Sequence, residues 1–285
     1  MLNTEDIMLD KLLDITARNR ESGVVDAEIL ADSVSADGTS RITTFLLRRF
    51  PKGALQAQLN THRSVSKNSA SSRAINKKKY IENILADPYV PLWTIDRPGM
   101  VGELIDDIDL IQHYDRLYLD KMNIDVKYVE KYFGEIHKQD SSCQLDHYAR
   151  IPIVCTSSES NWNYFFELRC GDSTKPEFRR IALEMQRLYK LSTPASADFH
   201  IPWIRDTEQD YALNDKLTLS TARSAWISYA NYQKLDSLDI ARSTVEKLWR
   251  NKHYSCFDHC AKASSDGNLY SGWSEYRNWC QEPRD

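Results

Sequence analysis

Apolar side chains recur at helical spacing in several stretches of the chain. Residues 5–19 carry the first stripe, which stops at the turn-forming residues 19–23 and predicts an outer N-terminal helix. In "DSTKPEFRRIALEMQRLYK", two candidate caps, Ser173 and Thr174, precede a proline that opens an amphipathic helix. The stretch "LDIARSTVEKLWR" predicts another amphipathic helix. Residues 101–138 are also predicted to be largely helical, with a break near Asn123.

Strand-like patterns occupy other stretches. "AEILADSVS" and "RITTFLLRR" are rich in β-branched residues and flank the turn-forming "ADGTS", which predicts a hairpin. A proline then opens a helix over residues 51–63, and "RIPIVCTS", residues 150–157, predicts a buried strand. Residues 192–215 are polar and contain prolines, which is typical of a long connection. The mixture predicts one α+β domain over residues 1–285, with a mixed or antiparallel sheet, surrounding helices and an extra N-terminal helix in residues 1–25.

Composition narrows the class of protein. Of the 285 residues, 41% are hydrophobic, which is enough for a sizeable core. The formal charge of −4 argues against a general nucleic-acid surface, and the basic residues within 48–79 point instead to a local anion site. No stretch approaches the ~18 apolar residues of a membrane span, so we expect no membrane partner and a cytoplasmic location. The six cysteines are dispersed and are expected to be reduced.

Candidate chemistry begins with "THRSVSKNSASSRA", residues 61–74. The small residues 68–72 let backbone N–H groups and hydroxyls approach an anion closely. Arg63 and Arg73 offer charge-assisted, fork-shaped hydrogen bonds, which favours a phosphate. A solvated serine-rich loop whose arginines pair with surface carboxylates would explain the same residues. The glycines of a phosphate-binding loop or dinucleotide motif are absent.

Two neighbouring groups extend this hypothesis. Gln58 and His62 lie one helical turn apart and project from the same polar edge. Arg169 lies between an aromatic run and a turn, where apolar surroundings would strengthen its effect on a bound group. Pairing of Arg169 with Glu167 or Asp172 is the alternative interpretation.

A cluster of potential metal ligands occurs in "HYSCFDHC". His253, Cys256, His259 and Cys260 fall within eight residues, a density that zinc sites share. The two-residue spacing followed by a distant second pair is absent, and the neighbouring aromatic residues are typical of packing. We therefore predict no metal, and a zinc-stapled structural protein stays an alternative.

These stretches together resemble the flavin-dependent thymidylate synthase family. "THRSVSKNSASSRA" is similar to its Arg-His-Arg signature and serine-containing loop, in the form of a divergent bacteriophage-type branch. "NWNYFFELRCGD" resembles its second substrate segment, and "ARSAWISY" resembles its flavin-contacting Ala-Arg-Val-Ser-Tyr. "HYSCFDHC" resembles its His-x-Ser-Pro-Phe-Glu-His. The last two motifs follow the first here but precede it in most members, which suggests a permuted order with the same spatial site.

The resemblance implies roles for particular residues. The residues implied to bind the flavin are His62, Arg63, Asn68, Ser228 and His259. The residues implied to hold the nucleotide are Gln58, Ser69, Ser71, Ser72 and Arg73, with Arg73 and the serines on its 5′-phosphate. Arg169 would be catalytic, facing the pyrimidine ring and stabilising negative charge as the ring is attacked or reduced. One nucleotide-contacting arginine of the family has no counterpart unless Arg150 substitutes for it.

The implied reaction is methylation of dUMP at C5 to give dTMP, with FAD, methylenetetrahydrofolate and NADPH. The family works as a homotetramer with sites shared between subunits, and a phage-encoded member would act in the host cytoplasm. Thr61 stands where the main branch has a flavin-binding arginine. Hydroxymethylation of dUMP or dCMP for phage DNA modification therefore stays open. So does a nucleotide-binding homologue that has lost catalysis.

Overall fold

Eight strands form two sheets in the part of the chain that the structure describes. The computed structural model describes residues 4–22, 25–99, 102–265, 267 and 269–280. The larger sheet contains β1 (Ala27–Val34), β2 (Arg41–Pro51), β3 (Ser66–Ser69), β4 (Arg150–Ser158) and β5 (Ala195–Ser196). The smaller sheet contains β6 (Phe199–His200), β7 (Ala261–Ala263) and β8 (Trp273–Glu275). The strand orders are β3-β4-β2-β1-β5 and β6-β7-β8.

Strand pairing makes the larger sheet mixed. β1 and β2 form the antiparallel hairpin that the sequence predicts, with Val34 opposite Arg41. β4 pairs antiparallel with both β2 and β3, which confirms the predicted strand over residues 150–157. β5 pairs parallel with β1. The α+β class with a mixed sheet is therefore confirmed.

Helices surround the sheets. The α-helices are α1 (Thr4–Ser22), α2 (Lys52–Asn60), α3 (Lys77–Ala86), α4 (Ile108–Lys131), α5 (Lys138–Ser141), α6 (Glu159–Arg169), α7 (Pro176–Leu191), α8 (Leu213–Trp226), α9 (Leu238–Arg250) and α10 (Tyr276–Trp279). Short 3-10 helices span Ser142–Tyr148, Asp206–Glu208, Ile227–Tyr229, Tyr232–Lys234 and Tyr254–His259. The four predicted helices that correspond to α1, α2, α7 and α9 are confirmed.

Two details of the predicted helices are wrong. α4 continues through Asn123 without a break, because its apolar stripe stays on one face. The buried residues of this stripe are Leu119, Met122, Val126 and Val129. The predicted caps of α7 do not cap it, since Lys175 occupies the N-cap position without a side-chain hydrogen bond. The Thr174 hydroxyl instead donates to Leu168 O at 2.9 Å.

The connection predicted over residues 192–215 contains regular structure. It includes the two-residue strands β5 and β6, one 3-10 helix and the first turn of α8. Strands of two residues are too short to show an alternating pattern of apolar residues. They form because they pair with β1 and β7, which lie far away in the sequence. This stretch therefore joins the two sheets.

The larger sheet is covered on both faces. Alternate residues of a strand point to opposite faces. On one face Phe45, Ile153 and Cys155 pack with Trp162 of α6 and Phe178 of α7. The opposite face carries a small apolar cluster and several buried hydroxyls. The cluster members are Leu46, Val154, Ile227 and Tyr232, and the hydroxyls belong to Thr44 and Thr156.

Two further expectations concern membrane spans and cysteines. No helix in the described ranges is long and apolar enough to cross a membrane. All six cysteines are free, as expected for reduced thiols.

Candidate functional site

The ends of two helices bring four predicted or neighbouring residues together. α6 ends at Arg169, beside the segment that follows α2. Arg169 Nε donates to His62 Nε2 at 2.8 Å, and its Nη2 donates to Thr61 Oγ1 at 2.9 Å and to Gln58 O at 3.4 Å. We call Gln58, Thr61, His62 and Arg169 the arginine cluster. Pairing of Arg169 with Asp172 is wrong, because Asp172 pairs with Arg179 at 2.7 Å.

Charge in the arginine cluster is carried by the guanidinium alone. Burial, followed by the positive charges of Arg169 and Lys67, lowers the pKa of His62 to about 4. His62 is therefore neutral at pH 7, and its Nε2 accepts the hydrogen bond from Arg169. Its ring also packs against Phe165, with ring centroids 4.9 Å apart. His62 is thus a buried orienting partner, whereas the sequence predicts a projecting side chain.

The serine-rich stretch is partly a strand. Residues 66–69 form β3, after which Ser71 N donates to Ser228 O at 3.0 Å. Ser72 is buried, and its Oγ accepts from Lys52 Nζ at 3.1 Å. Ser71 therefore lies next to the predicted flavin motif, while Ser72 is engaged by an internal lysine, Lys52, which is not among the predicted site residues. Lys52 falls in the same stripe of α2 as Leu55 and Leu59, and this position is the sequence signal that its side chain is buried.

The arginines that flank this stretch face outward. Arg63 and Arg73 are exposed. Neither forms an ion pair within the described ranges, so surface pairing of these two side chains is not observed. The remaining serine, Ser69, has its Oγ 3.4 Å from Gln56 Nε2. The exposed guanidinium groups keep the capacity to bind an anion.

A large cavity joins three of the predicted motifs. It measures about 820 Å³, and Asn68, Ser228 and Ser255 are among its lining residues. Asn68 Nδ2 donates to Ser255 Oγ at 3.1 Å, and Asn68 Oδ1 lies 3.0 Å from His259 Nε2. The serine-rich stretch and the Phe-Asp-His segment therefore meet at this cavity, which we call the Asn68 cavity.

Two buried titratable groups lie behind the Asn68 cavity. Burial and the nearby His200 lower the pKa of His259 to about 3, so the imidazole is neutral. Burial raises the pKa of Asp258 to about 7, against the opposing effect of Arg277 and with a further increase from Glu275. Asp258 Oδ1 lies 3.1 Å from Arg277 Nε. Below pH 7 both of these groups are therefore mostly uncharged.

Asp258 should make stability fall as the pH rises. The pKa of Asp258 is about 7 in the folded protein, and an unperturbed aspartate has a pKa of 3.8. Between these pH values the folded state keeps a proton that the unfolded state has lost. We expect the free energy of unfolding to fall by up to about 1.4 kcal/mol per pH unit in this window. Asp258→Asn should remove this dependence and be the more stable protein at pH 8. Urea unfolding at pH 5 and pH 8 measures the difference, with the exposed Asp239→Asn as control. Parallel profiles for Asp258→Asn and the unmodified protein would contradict the assignment.

Arg150 lies apart from both groups. Its Nε contacts Asp87 Oδ1 and Pro88 O, each at 3.4 Å. Arg150 and Arg49 line a separate cavity of about 90 Å³. Its predicted contact with the nucleotide stays a prediction, since the structure engages its side chain elsewhere.

One comparison decides the family. The profile of the family described as thymidylate synthase complementing protein matches residues 42–195, which is more than half of the chain. The chain belongs to this family. Membership indicates an enzyme of the thymidylate synthase type. It confirms the resemblance found in the motifs, and the matched segment contains the whole arginine cluster.

Solved structures of similar proteins are more distant. A UMP/dUMP methylase, PolB from Streptomyces cacaoi, bound with 5-Br UMP, is 16% identical, with a TM-score of 0.48 over 58% of this chain and 88% of that chain. ThyX from Helicobacter pylori, a flavin-dependent thymidylate synthase complexed with FAD and dUMP, is 15% identical, with a TM-score of 0.33 over 66% and 83%. A comparison with curated protein sequences found no match.

The two cysteines of "HYSCFDHC" contact other side chains of the protein. Cys256 Sγ accepts from Asn68 Nδ2 at 3.5 Å, and Cys260 Sγ lies 3.1 Å from Ser220 Oγ. Among the residues that the structure describes, no group of three or more His, Cys, Asp and Glu side chains is placed to hold a metal ion.

Proposed function

We propose that this protein is a flavin-dependent enzyme that transfers a one-carbon unit to C5 of a pyrimidine deoxynucleotide, with dUMP to dTMP as the reaction. The observation that carries the proposal is the meeting of three separate motifs at the Asn68 cavity. A chance set of motif-like stretches would have no reason to line one cavity. Family membership supports the same class of enzyme.

The Asn68 cavity fits a flavin in size and in lining. Its volume of about 820 Å³ falls in the range of cavities that hold cofactors. Its aromatic walls are Trp226, Tyr229 and Tyr254, which suit a flat ring system. Its basic residues include Lys247 and Lys252, which suit a phosphate. Asn68, Ser228 and Ser255 would hold the polar edge of a bound FAD, and Lys247 and Lys252 its phosphates.

The arginine cluster suits a nucleotide base. Arg169 uses Nε and Nη2 to hold His62 and Thr61, and within the described ranges its Nη1 forms no hydrogen bond. This nitrogen can donate to a pyrimidine carbonyl and stabilise negative charge on the ring. The exposed Arg73 and the hydroxyl of Ser71 are the proposed phosphate contacts, and Gln58 and Ser69 complete the set. Bound FAD would supply the reducing electrons, and methylenetetrahydrofolate and NADPH are the proposed co-substrates.

The three buried thiols are unsuited to act as an enzyme nucleophile. Burial raises the pKa of Cys155, Cys256 and Cys260 to about 12 in each case. A thiol with such a pKa is protonated at pH 7 and is a poor nucleophile. The proposed work of the protein is therefore orientation and electrostatic stabilisation.

The positions of the arginine cluster and the Asn68 cavity also bear on the oligomeric state. Within the described ranges, neither His62 nor Arg169 lines the Asn68 cavity. A homotetramer in which the arginine cluster of one subunit faces the Asn68 cavity of another would join them. This arrangement is part of the proposal, because oligomers with closed symmetry commonly build sites at their interfaces.

Purified protein tests the proposed function. We expect a flavin absorbance spectrum at a stoichiometry near ~1:1 after addition of FAD, because the Asn68 cavity can enclose one ring system. With dUMP, methylenetetrahydrofolate and NADPH, mass spectrometry should show dTMP. A product heavier by one further oxygen would indicate hydroxymethylation, and a product from dCMP alone would change the substrate. Protein that binds no FAD with either nucleotide present would contradict the proposal, and FAD binding without any product would indicate a homologue that has lost catalysis.

A further inference from the structure

A buried row of hydrogen bonds crosses the larger sheet on its polar face. Ser33 Oγ of β1 lies 2.9 Å from His200 Nδ1. His200 Nε2 lies 2.7 Å from Thr44 Oγ1 of β2. Thr44 Oγ1 in turn lies 2.7 Å from Thr156 Oγ1, the residue directly opposite on β4. The strand register therefore links three strands through side chains as well as through the backbone.

The row ends at the Asn68 cavity. Thr156 Oγ1 lies 2.8 Å from His259 Nδ1, and His259 Nε2 lies 3.0 Å from Asn68 Oδ1. Both histidines and both threonines of the row are 0% exposed. Asn68 is the last member; it lines the cavity, and its Nδ2 donates to Ser255 Oγ. The far end of the row, at β1, is thereby connected to an amide that faces the proposed cofactor.

The hydrogens in this row run in one direction. Because Asn68 presents Oδ1, His259 must carry its hydrogen on Nε2 and accept at Nδ1. Each hydroxyl has a single hydrogen, so donation passes back through the two threonines to Nε2–H of His200. His200 Nδ1 then accepts from Ser33. Both imidazoles must be neutral for this pattern, and burial lowers the pKa of each to about 3.

The reverse direction is the less stable one. It would make Ser33 the acceptor from His200, so the Ser33 hydroxyl would need another acceptor for its own hydrogen. Ser33 is 6% exposed, and in the described part of the chain its Oγ has His200 as its hydrogen-bond partner and no second one. A buried donor without a partner costs about 1–3 kcal/mol. This cost at β1 selects the direction of the whole row.

We propose that the row fixes the Asn68 carboxamide with its NH₂ group toward the cavity, and that Thr44 and His200 are positioning residues that act through His259. The NH₂ group then donates to Ser255 Oγ and Cys256 Sγ, so that the Ser255 hydroxyl, which lines the cavity, keeps its own hydrogen for a ligand. The ligand atom that sits beside it must be an acceptor, such as a ring carbonyl oxygen or an unprotonated ring nitrogen. The nature of that ligand rests on the proposed function, whereas the fixed orientation does not.

Histidine tautomers give a direct test. In the ¹⁵N-labelled protein without ligand, NMR should show His200 and His259 as neutral Nε2–H tautomers down to pH 5. Thr44→Val keeps the shape of the side chain but interrupts the row, so His259 should populate both tautomers. Thr44→Ser keeps the hydroxyl and should preserve the single tautomer. FAD affinity should fall about fivefold or more in Thr44→Val and stay unchanged in Thr44→Ser, which corresponds to one ordinary hydrogen bond.

The outcomes separate this proposal from the proposed function. An Nδ1–H tautomer of His259 in the unmodified protein would overturn it, because Asn68 would then present its oxygen to the cavity. An unchanged tautomer in Thr44→Val would overturn it too. Should Thr44→Val not fold, the spectrum of the unmodified protein still decides the orientation. Nε2–H tautomers in a protein that binds no FAD would support the orientation and reject the cofactor.

Discussion

Replacing Arg169 by alanine should lower kcat/KM for the proposed formation of dTMP by about 10²–10³-fold, the usual effect of removing one donor that stabilises developing charge. The guanidinium is the charged member of the arginine cluster, and it also holds His62 and Thr61 in place. Arg169→Lys keeps a positive charge but lacks the planar fork that makes both contacts at once. We therefore expect Arg169→Lys to recover only a small part of the activity. Steady-state kinetics with dUMP measures both variants.

A matched arginine separates catalysis from folding in this test. Arg187 pairs with Glu184 on the surface of α7, and its side chain is 56% exposed. Arg187→Ala should keep both activity and stability close to those of the unmodified protein. Full activity in Arg169→Ala, with FAD bound, would show that charge on the pyrimidine is stabilised by another group.

The second large effect concerns stability. Arg223 is 1% exposed and donates to both carboxylate oxygens of Glu208, at 2.6 and 2.5 Å, and to the carbonyl oxygens of Leu235 and Trp203. Glu208→Gln leaves this buried guanidinium without its counter-charge. Loss of one partner of a buried ion pair costs about 3–5 kcal/mol. Chemical denaturation of Glu208→Gln should show a destabilisation of this size.

An exposed pair provides the control for Glu208→Gln. Arg242 and Asp215 form an ion pair at 2.9 Å in which the arginine side chain is 52% exposed. Asp215→Asn should cost about 1 kcal/mol or less, because exposed pairs contribute little. Equal losses in the two variants would mean that the interior pair contributes no more than a surface one. The hydrogen bonds from Arg223 are the first cause of the lowered pKa of Glu208, so its contribution should be lost as the pH falls below the reference value of 4.5.

The elements predicted correctly are those whose own sequence carries the signal. α7 and α9 each bury a long apolar stripe, and the hairpin β1–β2 follows a clear turn. The cap of α7 was mispredicted because Thr174 has a closer carbonyl partner in Leu168, which sequence spacing does not reveal. β5 and β6 depend entirely on distant strands, so a local pattern had nothing to detect.

The residues of the candidate site also divide into those with a signal in the sequence and those whose contacts depend on the fold. The meeting of Asn68 with the Phe-Asp-His segment was expected from family resemblance, not from spacing. Arg169 was selected from its sequence surroundings, but its contact with His62 depends on how two helices end side by side. His200 was not selected at all, since a single histidine between two prolines and aromatic residues gives no sign that it will meet Thr44. Only the strand register places that threonine opposite Thr156.

The walls of the Asn68 cavity come from segments that lie far apart in the sequence. Asn68 is synthesised early, whereas Ser228 and Ser255 leave the ribosome more than 150 residues later. A nascent chain long enough to contain the arginine cluster therefore still lacks most of the cavity. Closure of the cavity must therefore follow synthesis of the segment that ends at Cys256, and a translation product arrested near residue 195 would expose the polar face of its sheet to chaperones.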